Sequence, residues 1–240
     1  MIKFFRKFRQ KLLSENKFSK YLIYAIGEII LVVIGILIAL QINNWNEIQK
    51  RNDEERKLLH ELIANLEQDI NDHEVNIEFN RAVGRAADYI IESIESRTVW
   101  NDTMQTHYGY LLRHGLSTFN TSAYDNLKTK GFDLISNDSI RIALTNLHGV
   151  TYTAILRFEQ ELAMDNQTYY LAPLFLQRIR MENPWFKGIP HDYSTLLDDK
   201  EFLEAVRWKA KTIRHVAIFQ ESGLKRANQL IAMIERELKK

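Results

Sequence analysis

The sequence has 240 residues, a formal net charge of +1 and no cysteine. The absence of cysteine excludes disulfide bonds, thiolate metal sites and thiol nucleophiles. The charge is unevenly distributed, because residues 1–20 contain seven basic residues and one acidic residue, whereas residues 43–240 contain 25 basic and 29 acidic residues. The mildly acidic main part does not support nucleic-acid binding, which needs a concentrated basic face.

The N-terminal segment, residues 1–20, is basic and amphipathic. Its apolar residues fall on one side of a helix and its cations largely on the other, which suits a helix lying on anionic lipid. Alternatively, the same cations serve only to set membrane orientation. Both interpretations predict a cytoplasmic segment beside a lipid bilayer.

An apolar run, residues 21–42, follows and contains a single ionisable residue, Glu28. A helix of this length spans ~33 Å, enough to cross a ~30 Å hydrocarbon core. A cleaved signal peptide is the alternative, but the run exceeds the apolar length of such peptides and ends without an Ala-x-Ala site. Because the excess of Lys and Arg precedes the run, we expect a single-pass protein of a bacterial inner membrane with residues 43–240 in the periplasm.

A carboxylate such as Glu28 costs roughly 2.5–3.5 kcal/mol at mid-membrane. Helical spacing places Glu28, Gly35 and Ala39 on one stripe, and the last two form a small-xxx-small pair that lets two helices approach closely. We therefore expect a helix–helix interface in the membrane across which Glu28 forms a hydrogen bond. The alternative is a polar residue tolerated near the headgroups, beside small residues that occur by chance.

The main part, residues 43–240, is predicted to be all-α, an antiparallel bundle of long and short helices. One long helix is expected over residues 47–97, continuing directly from the apolar run. The last helix is expected to start at an Asp198 cap and to run to the C-terminus with a coiled-coil-like seam. No segment shows convincing period-two alternation.

Shorter helices are expected between these two. The pattern predicts one over residues 100–116 and one over 122–130 that opens with a capping box in which Asp125 caps. A third starts at Asn137 or Asp138 and reaches Met181 with a kink at Pro173. A loop then returns the chain to the last helix.

That loop contains aromatic and polar residues, namely Trp185, Phe186, His191 and Tyr193. At the membrane-distal end of the domain it would serve as a recognition tip. The plainer interpretation is a loop that closes the end of the bundle.

No catalytic signature is evident, whether a nucleophile elbow, a phosphate-binding loop or a His-Glu-x-x-His motif. Asp69 and His73 lie one turn apart and could chelate a metal, but His73 on an apolar stripe is more simply a buried polar group. His107 and His114 share a face near two tyrosines, which is more typical of an aromatic contact than of a ligand pocket. We expect no enzyme activity, no cofactor and no metal.

Two stretches carry a resemblance to a known family. Residues 20–46, KYLIYAIGEIILVVIGILIALQINNWN, and residues 121–131, TSAYDNLKTKG, closely resemble an uncharacterised family of bacterial single-pass membrane proteins, a domain of unknown function. The resemblance implies a membrane protein and supplies no activity, cofactor or catalytic residue.

Two functions are therefore expected. The first is a non-enzymatic interaction or scaffold module that binds a second copy of itself or another envelope protein. The alternative is a periplasmic sensory or ligand-binding bundle that acts through a partner, because ~20 cytoplasmic residues are too few for an output domain.

Overall fold

The computed structural model describes residues 18–182 and 186–240. Most of the predicted basic segment and Trp185 therefore lie outside the described residues. The described residues form helices and one short hairpin. In chain order the elements are α1 Phe18–Glu95, α2 Met104–Tyr110, α3 Ser122–Lys130, a 3-10 turn Phe132–Leu134, α4 Asp138–Asn146, π1 Leu147–Tyr152, α5 Thr153–Phe158, π2 Glu159–Asp165, π3 Gln167–Leu171, α6 Ala172–Arg178, β1 Ile179–Glu182, β2 Lys187–Pro190, α7 Tyr193–Leu196 and α8 Lys200–Leu238.

The chain divides into two compact units, the first ending at Glu54. Within the first unit, residues 29–54 of α1 are all exposed, including the apolar ones. By length and composition, α1 could cross a membrane. The prediction of a mostly helical chain with one long apolar N-terminal helix is confirmed, and this helix continues without a break past residue 46.

In the second unit, residues 55–95 of α1 lie beside α8 in the opposite direction. Arg56 near the start of this stretch donates to the carbonyl of Leu238 at the end of α8, at 3.3 Å. Further along, Arg81 forms an ion pair with Glu221 at 2.7 Å. Exposed ion pairs contribute only ~0.2–1 kcal/mol each, so the stability of this pairing comes from the apolar side chains beneath them.

Those side chains form two separate apolar clusters. The first joins the early part of the α1 stretch, α3 to α5 and the end of α8, around residues such as Leu62, Leu127, Leu144 and Leu230. The second joins the end of α1, α2, α6 and the start of α8, around residues such as Ile90, Leu111, Phe175, Phe202 and Val206. Each fully buried side chain of this size contributes ~1.5–3 kcal/mol.

Residues 138–178 form one unbroken helical segment, the composite helix, in which α-turns alternate with three π segments. The hydroxyls of Thr151 and Thr153 donate to carbonyls five residues back rather than four, which matches the wider π-turn. The composite helix starts with Asn137 as its N-cap, as predicted. It passes through Pro173 and ends at Arg178, three residues earlier than predicted.

The expected loop between this helix and α8 contains a two-stranded antiparallel hairpin, which the sequence did not predict. Ile179 pairs with Pro190 and Glu182 with Lys187. The hairpin packs so closely on α2 that a Cβ atom added at Gly109 would lie 2.3 Å from the backbone of Phe186. Strands of four residues are too short for period-two alternation to reveal them.

Two predicted N-caps, Asp198 for α8 and Ser122, the first residue of the capping box, for α3, are each displaced by one residue. The N-cap of α8 is Asp199, whose carboxylate accepts from the Phe202 N–H at 2.9 Å, whereas Asp198 forms an ion pair with Arg97 at 2.7 Å. At α3 the N-cap position is occupied by Thr121, and the Asp125 carboxylate accepts its hydroxyl at 2.8 Å. Adjacent capping residues satisfy the same sequence pattern, so tertiary partners decide between them.

Candidate functional site

A layer of buried polar residues separates the two apolar clusters. All of its members are buried, and they come from α1, the segment after α2, the composite helix and α8. We call it the polar layer, and its members are Asp69, His73, Asn80, Ser117, Glu159 and Gln220. It is the strongest candidate for a functional site, because buried polar groups are costly unless they are satisfied or used.

The polar layer and its neighbours on α1 hold an extended segment, residues 113–121, that has no regular secondary structure. Side-chain oxygens accept four of its backbone N–H groups. The pairs are Asn80 with Gly115 at 2.7 Å, Glu159 with Ser117 at 3.0 Å, Asp72 with Thr118 at 2.8 Å and Asp69 with Asn120 at 2.7 Å. Three of the four acceptors project from one face of α1. Their oxygens bind the backbone N–H groups that a neighbouring β-strand would otherwise bind.

The predicted helix was expected to end near residue 115, but α2 ends at Tyr110. The hydrogen bonds of the extended segment explain the difference. A continued helix would satisfy its own backbone and leave the α1 carboxylates without donors. The segment also approaches α1 closely, since a Cβ atom at Gly115 would lie 2.7 Å from Oδ1 of Asn76 and 3.1 Å from its Cα. A side chain at this position would therefore have to displace Asn76.

At the centre of the layer, Glu159 accepts three hydrogen bonds. The donors are the N–H of Ser117, the hydroxyl of Ser117 at 2.6 Å and the amide of Gln220 at 2.8 Å. Asn80 in turn donates to Gln220 at 3.0 Å and to the carbonyl of Gly115 at 2.9 Å. Burial raises the pKa of Glu159, whereas these donors lower it.

Three buried polar atoms in the layer and beside it have no hydrogen bond of normal geometry to the described residues: Oδ2 of Asp69, Nε2 of His73 and the hydroxyl of Tyr152. The Tyr152 hydroxyl and the Asp69 carboxylate are nevertheless close enough to interact with each other. Burial raises the pKa of Asp69 to about 6 and lowers that of His73 to about 4. Burial and the nearby Asp69 carboxylate also raise the pKa of Tyr152. At neutral pH the layer therefore holds an ionised Asp69 next to a neutral His73.

Asp69 and His73 do not belong to a larger set of metal ligands in the part of the chain that is described, where no group of three or more His, Asp or Glu side chains is arranged to hold a metal ion. Asp69 uses one oxygen to accept from Asn120, and Nδ1 of His73 lies 3.4 Å from the Ser117 hydroxyl. The geometry agrees with the interpretation of His73 as a core polar group, although its second nitrogen has no partner.

A second buried polar group, Lys209 on α8, lies among the residues of the second apolar cluster. It is 4 % exposed, and its ammonium donates to Oε1 of Gln167 at 2.9 Å. Nδ1 of His114 lies 3.1 Å from the same amide oxygen. Burial lowers the pKa of Lys209 to about 7, so this amine is only partly charged at neutral pH.

Each of the three π segments begins or ends at a polar residue on the inner side of the composite helix. Tyr152 is the last residue of π1, Glu159 the first of π2 and Gln167 the first of π3. Such π segments are often found at functional sites. Four polar residues that are at least partly buried were not predicted from the sequence, namely Glu159, Gln167, Lys209 and Gln220. The sequence signal that could have revealed them is that each is a polar residue within an otherwise apolar helical stripe.

The other predicted site residues are not members of the polar layer. In the first unit, Gly35 and Ala39 of α1 are exposed and Glu28 is partly so. On the hairpin, the Phe186 ring lies 4.6 Å from the guanidinium carbon of Arg113. The Tyr193 hydroxyl donates to the Thr98 carbonyl at 2.9 Å.

His191 donates its N–H to the Arg178 carbonyl at 2.9 Å, so the loop residues make internal contacts and a recognition role for them stays a prediction. The predicted aromatic contact of His107 is present, because its ring stacks on Tyr89 at 4.0 Å. His114 makes no such pair among the described residues and instead contacts Gln167.

Comparison with known proteins gives one finding. A family model described as a family of unknown function (DUF6090) matches residues 28–168, more than half of the chain. No curated protein and no solved structure matches. The matched residues include Glu28, the α1 part of the polar layer, segment 113–121 and Glu159, but neither Lys209 nor Gln220.

Replacing Asn80 by Asp tests the role of the polar layer. Asn80→Asp puts a carboxylate oxygen where an N–H now donates to Gly115 and Gln220. We therefore expect the free energy of unfolding to fall by about 3 kcal/mol or more. Chemical denaturation of the full chain in detergent, followed by near-UV circular dichroism, measures it. The control Asn228→Asp changes an exposed residue that bonds only its own helix, and equal effects of the two changes would contradict the assignment.

Proposed function

Because this chain belongs to DUF6090, a family of unknown function, its role has to be argued from its own residues, and we propose that it is a membrane-anchored, non-enzymatic interaction module of the bacterial cell envelope. The observation that carries the proposal is the exposed apolar surface of α1, which water would not tolerate over so many consecutive residues. The second unit supports it, because the carboxylate at the centre of its polar layer, Glu159, is held by hydrogen bonds from Ser117 and Gln220.

We further propose an inner-membrane location with the N-terminus in the cytoplasm and the helical bundle in the periplasm. The basic residues before the apolar run support this orientation, since Lys and Arg are retained on the cytoplasmic side. The aromatic residues of the hairpin would then contact other envelope components, with no part for nucleic acid.

The orientation can be measured directly with single cysteine variants. The chain has no cysteine of its own, so a thiol reagent labels only the introduced residue. We expect a membrane-impermeant maleimide to label Thr129→Cys, an exposed position on α3, in cells with a permeabilised outer membrane. Ser14→Cys should be labelled only after lysis. Labelling of both variants, or of neither, before lysis would contradict the proposed orientation.

The stripe of Glu28, Gly35 and Ala39 is proposed as the contact between membrane helices. Small residues at two successive turns permit close approach, and a carboxyl group gains most from a partner in lipid. Val32 lies beside this stripe, whereas the next residue, Val33, is turned away from it by ~100°.

Thiol oxidation in membranes tests this contact. We expect Val32→Cys to form a disulfide-linked dimer and Val33→Cys, its matched control, to form little. Adding Glu28→Leu and Gly35→Leu to Val32→Cys should abolish the dimer. Equal cross-linking at Val32 and Val33 would rule the stripe out.

The second candidate function is a sensory bundle that acts through a partner. Specific support comes from two buried groups that titrate near neutrality, Asp69 with a pKa of about 6 and Lys209 with a pKa of about 7. A change of pH in the periplasm would alter charge inside the domain and so its stability.

Lys209→Met tests that sensitivity. The pKa of Lys209 falls from 10.5 in the unfolded chain to about 7 in the folded one, so stability is present above pH 10.5 and is lost as the pH falls towards 7. Between about pH 10 and pH 7 the wild-type free energy of unfolding should therefore drop by on the order of 1.4 kcal/mol for each pH unit of acidification relative to Lys209→Met. Lys211→Met, an exposed neighbour on α8, is the control and should keep the wild-type slope.

A further inference from the structure

Three exposed aromatic side chains line one groove on the surface of the second unit. Tyr169 and Tyr170 lie in π3 and Trp208 lies on α8, and they are 71 %, 66 % and 47 % exposed. We call this site the aromatic groove. It is also lined by Pro173 and Glu201, and its volume is about 550 Å³. Large apolar side chains that are exposed together mark binding sites, and ligand pockets commonly have volumes of ~300–1,000 Å³.

Hydrogen bonds inside the domain hold the segment that carries the two tyrosines. Gln167, the first residue of π3, accepts from the buried ammonium of Lys209 at 2.9 Å and donates to the Leu112 carbonyl at 2.8 Å. The backbone is therefore fixed two and three residues before the exposed tyrosines. A binding surface on a backbone that is already fixed loses little conformational entropy when a ligand arrives.

The electrostatics of the aromatic groove favour a cation. The face of an aromatic ring carries partial negative charge, and Trp attracts cations best. The ammonium of Lys211 already lies 5.7 Å from the centroid of the Trp208 ring. Among the described residues that line the groove, Glu201 is the only charged one, and it shares the guanidinium of Arg178 with Asp199. Two carboxylates and one guanidinium leave a net charge of −1 beside the rings.

We propose that the aromatic groove binds a quaternary ammonium group, such as the trimethylammonium group of choline. This cation is bulky, has an apolar surface and donates no hydrogen bond, so three rings and one carboxylate suit it. A metal ion would need several oxygen ligands, and an anion would meet the charge of Glu201. The inference adds a ligand to the domain and does not depend on the membrane anchoring proposed above.

Choline and its neutral analogue 3,3-dimethylbutan-1-ol test the proposal, because they have the same shape and differ in whether the central atom is charged nitrogen or carbon. Saturation-transfer NMR on the full-length chain in a maltoside detergent, at constant ionic strength, measures the Kd of each compound. We expect choline to bind about tenfold more tightly than the alcohol. Equal affinities would show a merely apolar groove, and that result, like the absence of choline binding, overturns the proposal.

Two variants locate the binding to the aromatic groove. Trp208→Leu removes the best ring, so the affinity for choline should fall about tenfold. Glu201→Gln should weaken choline binding about threefold and leave the affinity for the alcohol unchanged. Glu204→Gln is its matched control on α8, since the side chains of Glu201 and Glu204 are 70 % and 66 % exposed, and it should bind choline like the wild type. Melting temperatures verify that each variant is folded, and equal effects of the two glutamate changes would contradict the assignment.

The same cationic group occurs on free solutes and on lipid headgroups, and a short-chain phosphatidylcholine below its micelle concentration distinguishes these sources. Tighter binding of this lipid than of choline supports the proposal with a headgroup as the ligand. Equal or weaker binding, with choline still bound, supports it with a free solute. A groove that binds neither compound overturns the proposal, while the labelling test of membrane orientation is unaffected.

Discussion

The second unit depends on finding partners for the backbone of one extended segment. Residues 113–121 run beside α1 without a sheet or a helix of their own, and N–H groups that are even partly buried are costly without acceptors. Side-chain oxygens of α1 and Glu159 supply the acceptors. The polar layer, the end of α2 at Tyr110 and the glycine at 115 all follow from that requirement.

This requirement also explains why the chain has two apolar clusters instead of one. The carboxylates and amides that hold the segment must lie in the middle of α1, so apolar residues flank them on both sides. α8 matches the pattern, with Gln220 between Val206 and Leu230. A buried network of this kind gives specificity to the fold, because any other register of the two helices would leave several groups unsatisfied.

The sequence predicts the helical architecture well and the polar layer poorly, for physical reasons. Long periodic helices such as α1 and α8 are visible because apolar periodicity is a local property. The N-caps of α8 and α3 each lie one residue from the predicted position, because neighbouring polar residues compete for the cap. At α8 the distant Arg97 binds Asp198, and Asp199 caps the helix instead. Glu159 and Gln220 could not be paired from sequence, since they lie 61 residues apart and form their hydrogen bond only in the folded domain.

The π segments give the composite helix a way to correct its phase. Its inward polar residues 152, 159 and 167 are spaced by seven and then eight positions, and in a straight α-helix the second step would turn Gln167 by roughly 80° away from Glu159. Wider turns absorb that rotation, so one side of the helix keeps facing inward over 41 residues. Deleting one residue from π2 or π3 would therefore rotate everything downstream in the composite helix rather than shorten a loop.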